Sequence, residues 1–118
     1  MSLNHQKYHS FAIKLSQLRS DLIAKQLDAP QLRQYTTSLQ QFFQREIIPL
    51  ADEDANSPDV GQVQSYLTEM SKQLRLLEID VTFFQAARQA STIQQRVDAI
   101  SDRLATLIQY CHAIVRGE

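Results

Sequence analysis

Two histidines near the start of the chain, His5 and His9, are the first side chains that could do chemistry. Four residues apart on a helix, they would share one face and could provide two ligands to a zinc ion. A zinc site needs further ligands, but His112 is far away in the sequence and no acidic residue is placed to complete the set. We therefore expect no metal site and ordinary helix-flank roles for these histidines.

Residues for covalent or acid–base catalysis are equally sparse. Cys111 is the only cysteine, so the chain can form neither an internal disulfide nor a cysteine-based zinc site. Because it falls within an apolar stripe, it is expected to be a small buried hydrophobic residue. Glu78 and Asp80 form a carboxylate pair in sequence, but residues two apart on a helix point in different directions. The sequence predicts no catalytic residue, no cofactor and no enzyme activity.

The positive signal is a surplus of large apolar side chains between residues 60 and 90. A first stripe repeats at spacings of three and four residues, the pattern of a helix packed in a bundle. A second stripe, formed by Leu76, Ile79 and Phe83, lies on roughly the opposite side of the same helix. Three such side chains exposed together on a small domain would mark a contact surface. The first stripe consists of Val60, Val63, Leu67, Met70, Leu74, Leu77, Val81 and Phe84.

Two interpretations of the second stripe are open. In one, the helix is central, contacts neighbours on two sides, and buries both stripes in the core. In the other, the second stripe is the centre of an interface with a protein partner or with a second copy of the chain. An apolar centre with arginines on its rim is the common composition of protein interfaces. The candidate interface residues are Arg75, Leu76, Ile79, Asp80, Phe83 and Arg88, with Glu78 also on the rim.

Four segments carry helical apolar spacing, and β-sheet signals are nearly absent, which predicts an all-α protein. Short connections favour an antiparallel up-down-up-down four-helix bundle in one domain, residues 1–118, with a long third helix. An alternative opens the first two helices away from an extended hairpin of the last two, so that the third helix pairs with its counterpart in a second chain. The predicted helices span residues 3–26, 29–48, 58–90 and 92–115, with an acidic linker over 50–59.

Capping and breaking residues define the predicted helix ends. Asp28 can cap the second helix, and Gln31 can complete a capping box with it. Pro49 is expected to end the second helix, because a proline interrupts the regular hydrogen-bond pattern. The other expected caps are Asn56 or Ser57 for the third helix, with Pro58 in its first turn, and Ser91 or Thr92 for the fourth.

The charge balance limits the classes of partner. A formal net charge of −1 over 118 residues argues against a general binder of nucleic acids or membrane surfaces, since such proteins usually have a basic excess. The second helix offers only Arg33 and Arg45 for reading DNA. No signal-peptide or membrane-spanning pattern is present. We expect a cytoplasmic protein with no nucleic-acid and no membrane partner.

The segment from Arg75 to Ala90, RLLEIDVTFFQAARQA, resembles the central segment of the PatD family of cyanobacterial heterocyst frequency control proteins. The likeness continues at residues 94–97 (QQRV), at 101–104 (SDRL) and at Tyr110-Cys111. The resemblance implies a small regulatory protein of filamentous cyanobacteria that influences how many cells become nitrogen-fixing heterocysts. It also implies modulation of the cell-division GTPase FtsZ by binding, without catalysis.

Residue patterns and resemblance together predict a non-enzymatic regulatory protein that acts by protein–protein contact, with FtsZ as the partner that the resemblance implies. One alternative is a helical structural protein that self-associates as a homodimer. The less favoured alternative is a regulator that binds nucleic acid.

Overall fold

The computed structural model describes residues 3–53 and 60–117, and within these ranges every regular element is a helix. The prediction of an all-α protein is confirmed. Because α2, a π-helical segment and α3 follow one another without a break, they form one continuous rod, called here the second rod. The elements are α1 (Leu3–Ala24), α2 (Ala29–Phe42), the π-helical segment (Phe43–Ile47), α3 (Ile48–Glu53), α4 (Val60–Ala86) and α5 (Ala90–Arg116).

Four rods pack together into an elongated body of 50 × 22 × 21 Å. α1 packs against α5 and the second rod, and α4 packs against the same two neighbours. A single core runs between the rods and receives side chains from each of them. The stripes predicted from spacing supply most of this core, including Phe11, Leu15 and Leu18 of α1, Met70, Leu74 and Leu77 of α4, and Ile100, Leu104 and Leu107 of α5.

The start of α2 follows the capping signal in the sequence. The side chain of Asp28 accepts a hydrogen bond from the backbone N–H of Gln31 at 2.9 Å. In return, the side chain of Gln31 accepts from the backbone N–H of Asp28 at 2.9 Å. These two bonds satisfy donors that a helix start otherwise leaves unpaired. The predicted capping box is confirmed.

The expectation that Pro49 ends the second helix is wrong. The rod continues to Glu53 because its turns widen before the proline, and the N–H of Ile48 bonds to the carbonyl of Phe43, five residues back. A proline ring clashes with the carbonyl four residues before it in a regular α-helix, and a widened turn relieves that clash. Leu50, assigned to the acidic linker, is instead a core residue. Residues 51–53 of the predicted linker also belong to α3, and its remainder, residues 54–59 with Asn56, Ser57 and Pro58, lies outside the described residues.

The connection between the last two helices lies earlier than predicted. α4 ends at Ala86 and α5 begins at Ala90, so Ser91 and Thr92 lie inside the first turn of α5 and do not cap it. Gln89 is the N-cap through its extended backbone, without a side-chain hydrogen bond. α4 and α5 each have 27 residues, so the third predicted helix is as long as the fourth.

Candidate protein-contact site

The second stripe lies on the outer surface of α4. Phe83 is 48% exposed and Ile79 is 44% exposed, while Leu76 is half-buried. The two flanking helices contact α4 on either side of this stripe and leave its centre uncovered. The interpretation in which both stripes belong to the core of a single chain is therefore wrong. These three residues are called the α4 patch below.

Asp80 does not belong to the rim of the patch, contrary to the sequence interpretation. It is only 7% exposed, because a rotation of about 100° from Ile79 turns it toward α5. Its Oδ2 accepts a hydrogen bond from Nε of Arg103 at 2.6 Å. Nη1 of Arg103 also donates to Oε1 of Gln73 at 2.8 Å. This network joins α4 to α5 and neutralises the Asp80 charge within the bundle.

On the opposite flank, polar side chains join α4 to the second rod. Glu78, which the sequence placed on the rim, accepts a hydrogen bond from Nε2 of Gln40 at 3.1 Å. About two helical turns further along, Gln85 accepts a hydrogen bond from Nε of Arg33 at 2.8 Å. Both contacts lie at the surface, so their contribution to stability is small. The contact with Gln40 directs the Glu78 carboxylate toward the second rod.

Arg96 of α5 is a residue of the site that the sequence did not reveal. Its guanidinium lies over the ring of Phe83, 4.7 Å from the ring centroid, in a cation–π contact. Nε of Arg96 is buried and has no hydrogen-bond partner. No pattern in the sequence connects Arg96 to Phe83, which lies 13 positions earlier on another helix.

Arg75 and Arg88, the predicted orienting charges, are both exposed. Nη1 of Arg88 donates to the backbone carbonyl of Gln85 at 3.5 Å, so Arg88 is held near the end of α4. Among the ion pairs formed within residues 3–53 and 60–117, none includes Arg75, Arg88 or Arg96. The two ends of the α4 patch are therefore basic, while the exposed Glu78 carboxylate lies on the flank that faces the second rod.

The residues first considered for metal or thiol chemistry have other surroundings. His9 and His112 line one shallow groove between α1 and α5, so the fold brings together two histidines that are distant in sequence. In the part of the chain that the structure describes, no three His, Cys, Asp or Glu side chains are grouped closely enough to hold a metal ion. Burial raises the pKa of the Cys111 thiol to about 12. The prediction that Cys111 is a small buried residue is confirmed.

Comparisons with known proteins place the chain in a family. No helix within the described ranges combines the length and the apolar character needed to cross a lipid bilayer. Neither the curated proteins nor the solved structures give a match to the chain. Residues 21–111 match the CRR41 C-terminal domain family, and this range contains the whole α4 patch and Arg96. Since the match covers most of the chain, the protein belongs to the CRR41 C-terminal domain family.

Proposed function

We propose that the protein is a non-enzymatic regulator that acts by docking the α4 patch onto a protein partner. The observation that carries this proposal is the exposure of Ile79 and Phe83, about one turn apart on the same face. Full burial of a large apolar side chain gains about 1.5–3 kcal/mol, and since each of these two is about half exposed, a partner that covers both would gain about half of that amount from each. The basic rim supplies orientation around this apolar centre.

The resemblance of residues 75–90 to the PatD family supports a biological setting for this proposal. The resembling segment contains all three residues of the α4 patch and the rim residues Arg75 and Arg88. In this setting the protein is a cytoplasmic regulator of heterocyst frequency in a cyanobacterium, and FtsZ is its partner. Its effect on FtsZ would come from binding alone.

The proposal includes an up-down-up-down order of the four rods, which would leave the outer face of α4 free for docking. Three contacts support this order. Lys7 near the start of α1 pairs with Glu46 toward the end of the second rod at 3.1 Å. Gln40 of the second rod bonds to Glu78 of α4. The rings of Tyr66, near the start of α4, and Tyr110, near the end of α5, lie 5.6 Å apart.

The direct test is the affinity of purified FtsZ for the unaltered protein and for Ile79→Asp. A charge placed at the centre of the patch is expected to weaken binding by about tenfold or more, since the aspartate would be desolvated without a partner. Ile13→Asp is the matched control, because Ile13 is also an exposed isoleucine on a helix, 56% exposed on α1. Both variants should retain a cooperative thermal transition, because neither side chain is in the core.

Equal binding by the two variants would show that the contact lies elsewhere on the surface. Failure of the unaltered protein to bind FtsZ would remove FtsZ as the partner. Sedimentation over a concentration series tests the homodimer alternative. A dimer that dissociates in Ile79→Asp but persists in Ile13→Asp would replace docking on a partner with self-association.

A further inference from the structure

The charges at the two ends of the α4 patch are positive. Lys72 and Arg75 are exposed on α4 at the end of the patch that Leu76 begins. At the other end, Arg96 lies on the ring of Phe83. The carboxylate of Asp80, next to Ile79 in the sequence, is neutralised by Arg103 beneath the surface.

The remaining acidic residues of α4 do not offset this charge. Glu78 points toward the second rod and accepts a hydrogen bond from Gln40. Glu69 lies two turns before Leu76, about 10 Å along the helix axis. An occupant of the patch therefore meets the exposed Lys72 and Arg75 at one end of an apolar stripe and the half-buried Arg96 at the other. Its complement is an apolar stripe with carboxylates at both ends.

The shape of the patch favours a helical occupant. Its three side chains follow one line of α4, about 10 Å from Leu76 to Phe83. Within residues 3–53 and 60–117 there is no strand whose edge could pair with an extended segment. The chain also has no tryptophan, and a single exposed phenylalanine does not form the aromatic groove that proline-rich segments require. A helix laid along α4 places its own apolar stripe against this line.

We infer that the α4 patch binds an amphipathic helix of a partner protein, with carboxylates flanking the apolar stripe of that helix. This inference rests on the proposed function, because it names the chemistry of the partner for the same surface. The carboxylates pair with Arg75 and Arg96, whose planar guanidinium groups each accommodate two parallel hydrogen bonds to a carboxylate.

A second copy of the chain does not fit this surface. A twofold interface brings the same patch of both chains together. If the axis passed near Ile79, Arg75 of one chain would face Phe83 and Arg96 of its partner. Cations would then oppose cations around the apolar centre, while the Glu78 carboxylate of each chain is held toward its own second rod. A partner of opposite charge avoids this repulsion.

Two designed helical peptides of about 18 residues test the inference. They share one leucine and isoleucine stripe, and they differ only in glutamate or lysine at the flanking positions. Titration calorimetry at low salt is expected to give at least about tenfold tighter binding of the glutamate peptide. Arg75→Glu should weaken that binding by about tenfold. Added salt should weaken the binding of the glutamate peptide to the unaltered protein. Arg45→Glu, at an exposed arginine of the π-helical segment, is the matched control and should bind as the unaltered protein does.

Equal affinity for the two peptides, or binding of neither, would overturn the inference. So would binding of random-sequence duplex DNA as tight as that of the glutamate peptide, because the surface would then recognise any polyanion. Other outcomes distinguish a failure of the proposed function from a failure of this inference. If FtsZ binding depends on Ile79 and the glutamate peptide has no advantage, docking stands and the acidic helix is wrong. If FtsZ does not bind and the glutamate peptide does, the acidic helix stands and FtsZ is wrong.

Discussion

Ile79 and Asp80 are neighbours in sequence with opposite environments. Ile79 is exposed at the centre of the patch, and Asp80 is buried against Arg103. Hydrophobicity alone would bury the isoleucine and expose the aspartate. The arrangement is stable because Arg103 and Asp80 satisfy each other's hydrogen bonds, which offsets part of the cost of removing two charges from water. The charge of Asp80 is then absent from the surface, and the rim of the patch becomes basic.

Asp80→Ala is expected to lower the free energy of unfolding by about 1–3 kcal/mol, because it leaves the guanidinium of Arg103 without its carboxylate. The side chains of Asp80 and Arg103 keep 11% and 23% exposure, so water compensates for part of the loss. Urea denaturation measures the change. Asp98→Ala, at an exposed aspartate bonded to Gln94 of its own helix, is the control and should change stability by less than about 0.5 kcal/mol. Equal stability of the two variants would contradict the structural role of Asp80.

Asp21 and Tyr35 predict how stability depends on pH. The Tyr35 hydroxyl donates to Asp21, and this bond lowers the pKa of Asp21 below 3.8 and raises the pKa of Tyr35 above 10.0. The contribution of Asp21 is present above pH 3.8 and is lost as the pH falls through its lowered pKa. The contribution of Tyr35 is present below pH 10.0 and is lost as the pH rises through its raised pKa.

Tyr35→Phe removes the bond between Tyr35 and Asp21. Its loss of stability relative to the unaltered protein should be largest between pH 3.8 and pH 10.0. The difference in unfolding free energy should shrink below pH 3.8 and above pH 10.0, since the unaltered protein then loses the bond that the variant already lacks. Urea denaturation across the pH range measures this difference. A difference that stays constant with pH would show that the bond between Tyr35 and Asp21 does not couple to ionisation.

At the scale of elements, the second rod shows how a helix can pass through a proline. Its π-helical segment widens the turns before Pro49, and the rod then continues far enough to bury Leu50. The sequence rule that a proline ends a helix rests on the loss of a regular hydrogen bond and a clash with the preceding turn. It did not anticipate that burial of an apolar side chain beyond the proline would favour continuation.

Leu50→Ala is expected to lower the free energy of unfolding by about 2–5 kcal/mol, because Leu50 is 1% exposed and its removal leaves a cavity. Thermal or urea denaturation measures this loss. Ile48→Ala, two residues earlier at an exposed position, should cost less than half as much. A loss for Leu50→Ala as small as that for Ile48→Ala would place Leu50 in a solvated linker, as the sequence had predicted.

The four helical segments could be predicted from the sequence, but some of their ends could not. Apolar spacing identifies a helix because burial against neighbours repeats with the helical turn. The start of α2 was found because Asp28 and Gln31 form a local capping box. The end of α4 was missed because residues 86–90 contain no glycine or proline, and Gln89 caps α5 through its backbone alone.

At the scale of the whole molecule, the four rods close one core and leave the outer face of α4 uncovered. Spacing could identify Leu76, Ile79 and Phe83, but their exposure depends on where the other rods pack. The basic character of the rim depends on two contacts between helices, Asp80 with Arg103 and Arg96 with Phe83. The formal charge of −1 therefore conceals a basic surface at one location.

The exposed isoleucines offer the most direct test of the α4 patch as the docking surface. Four of them report on different surfaces: Ile13 and Ile23 on α1, Ile48 on α3 and Ile79 on α4. Methyl NMR of the isoleucine-labelled protein, titrated with FtsZ, measures all four at once. The proposal predicts that the Ile79 methyl signal shifts or broadens while those of Ile13, Ile23 and Ile48 stay unchanged. An unchanged Ile79 signal in a sample where another isoleucine responds would contradict it.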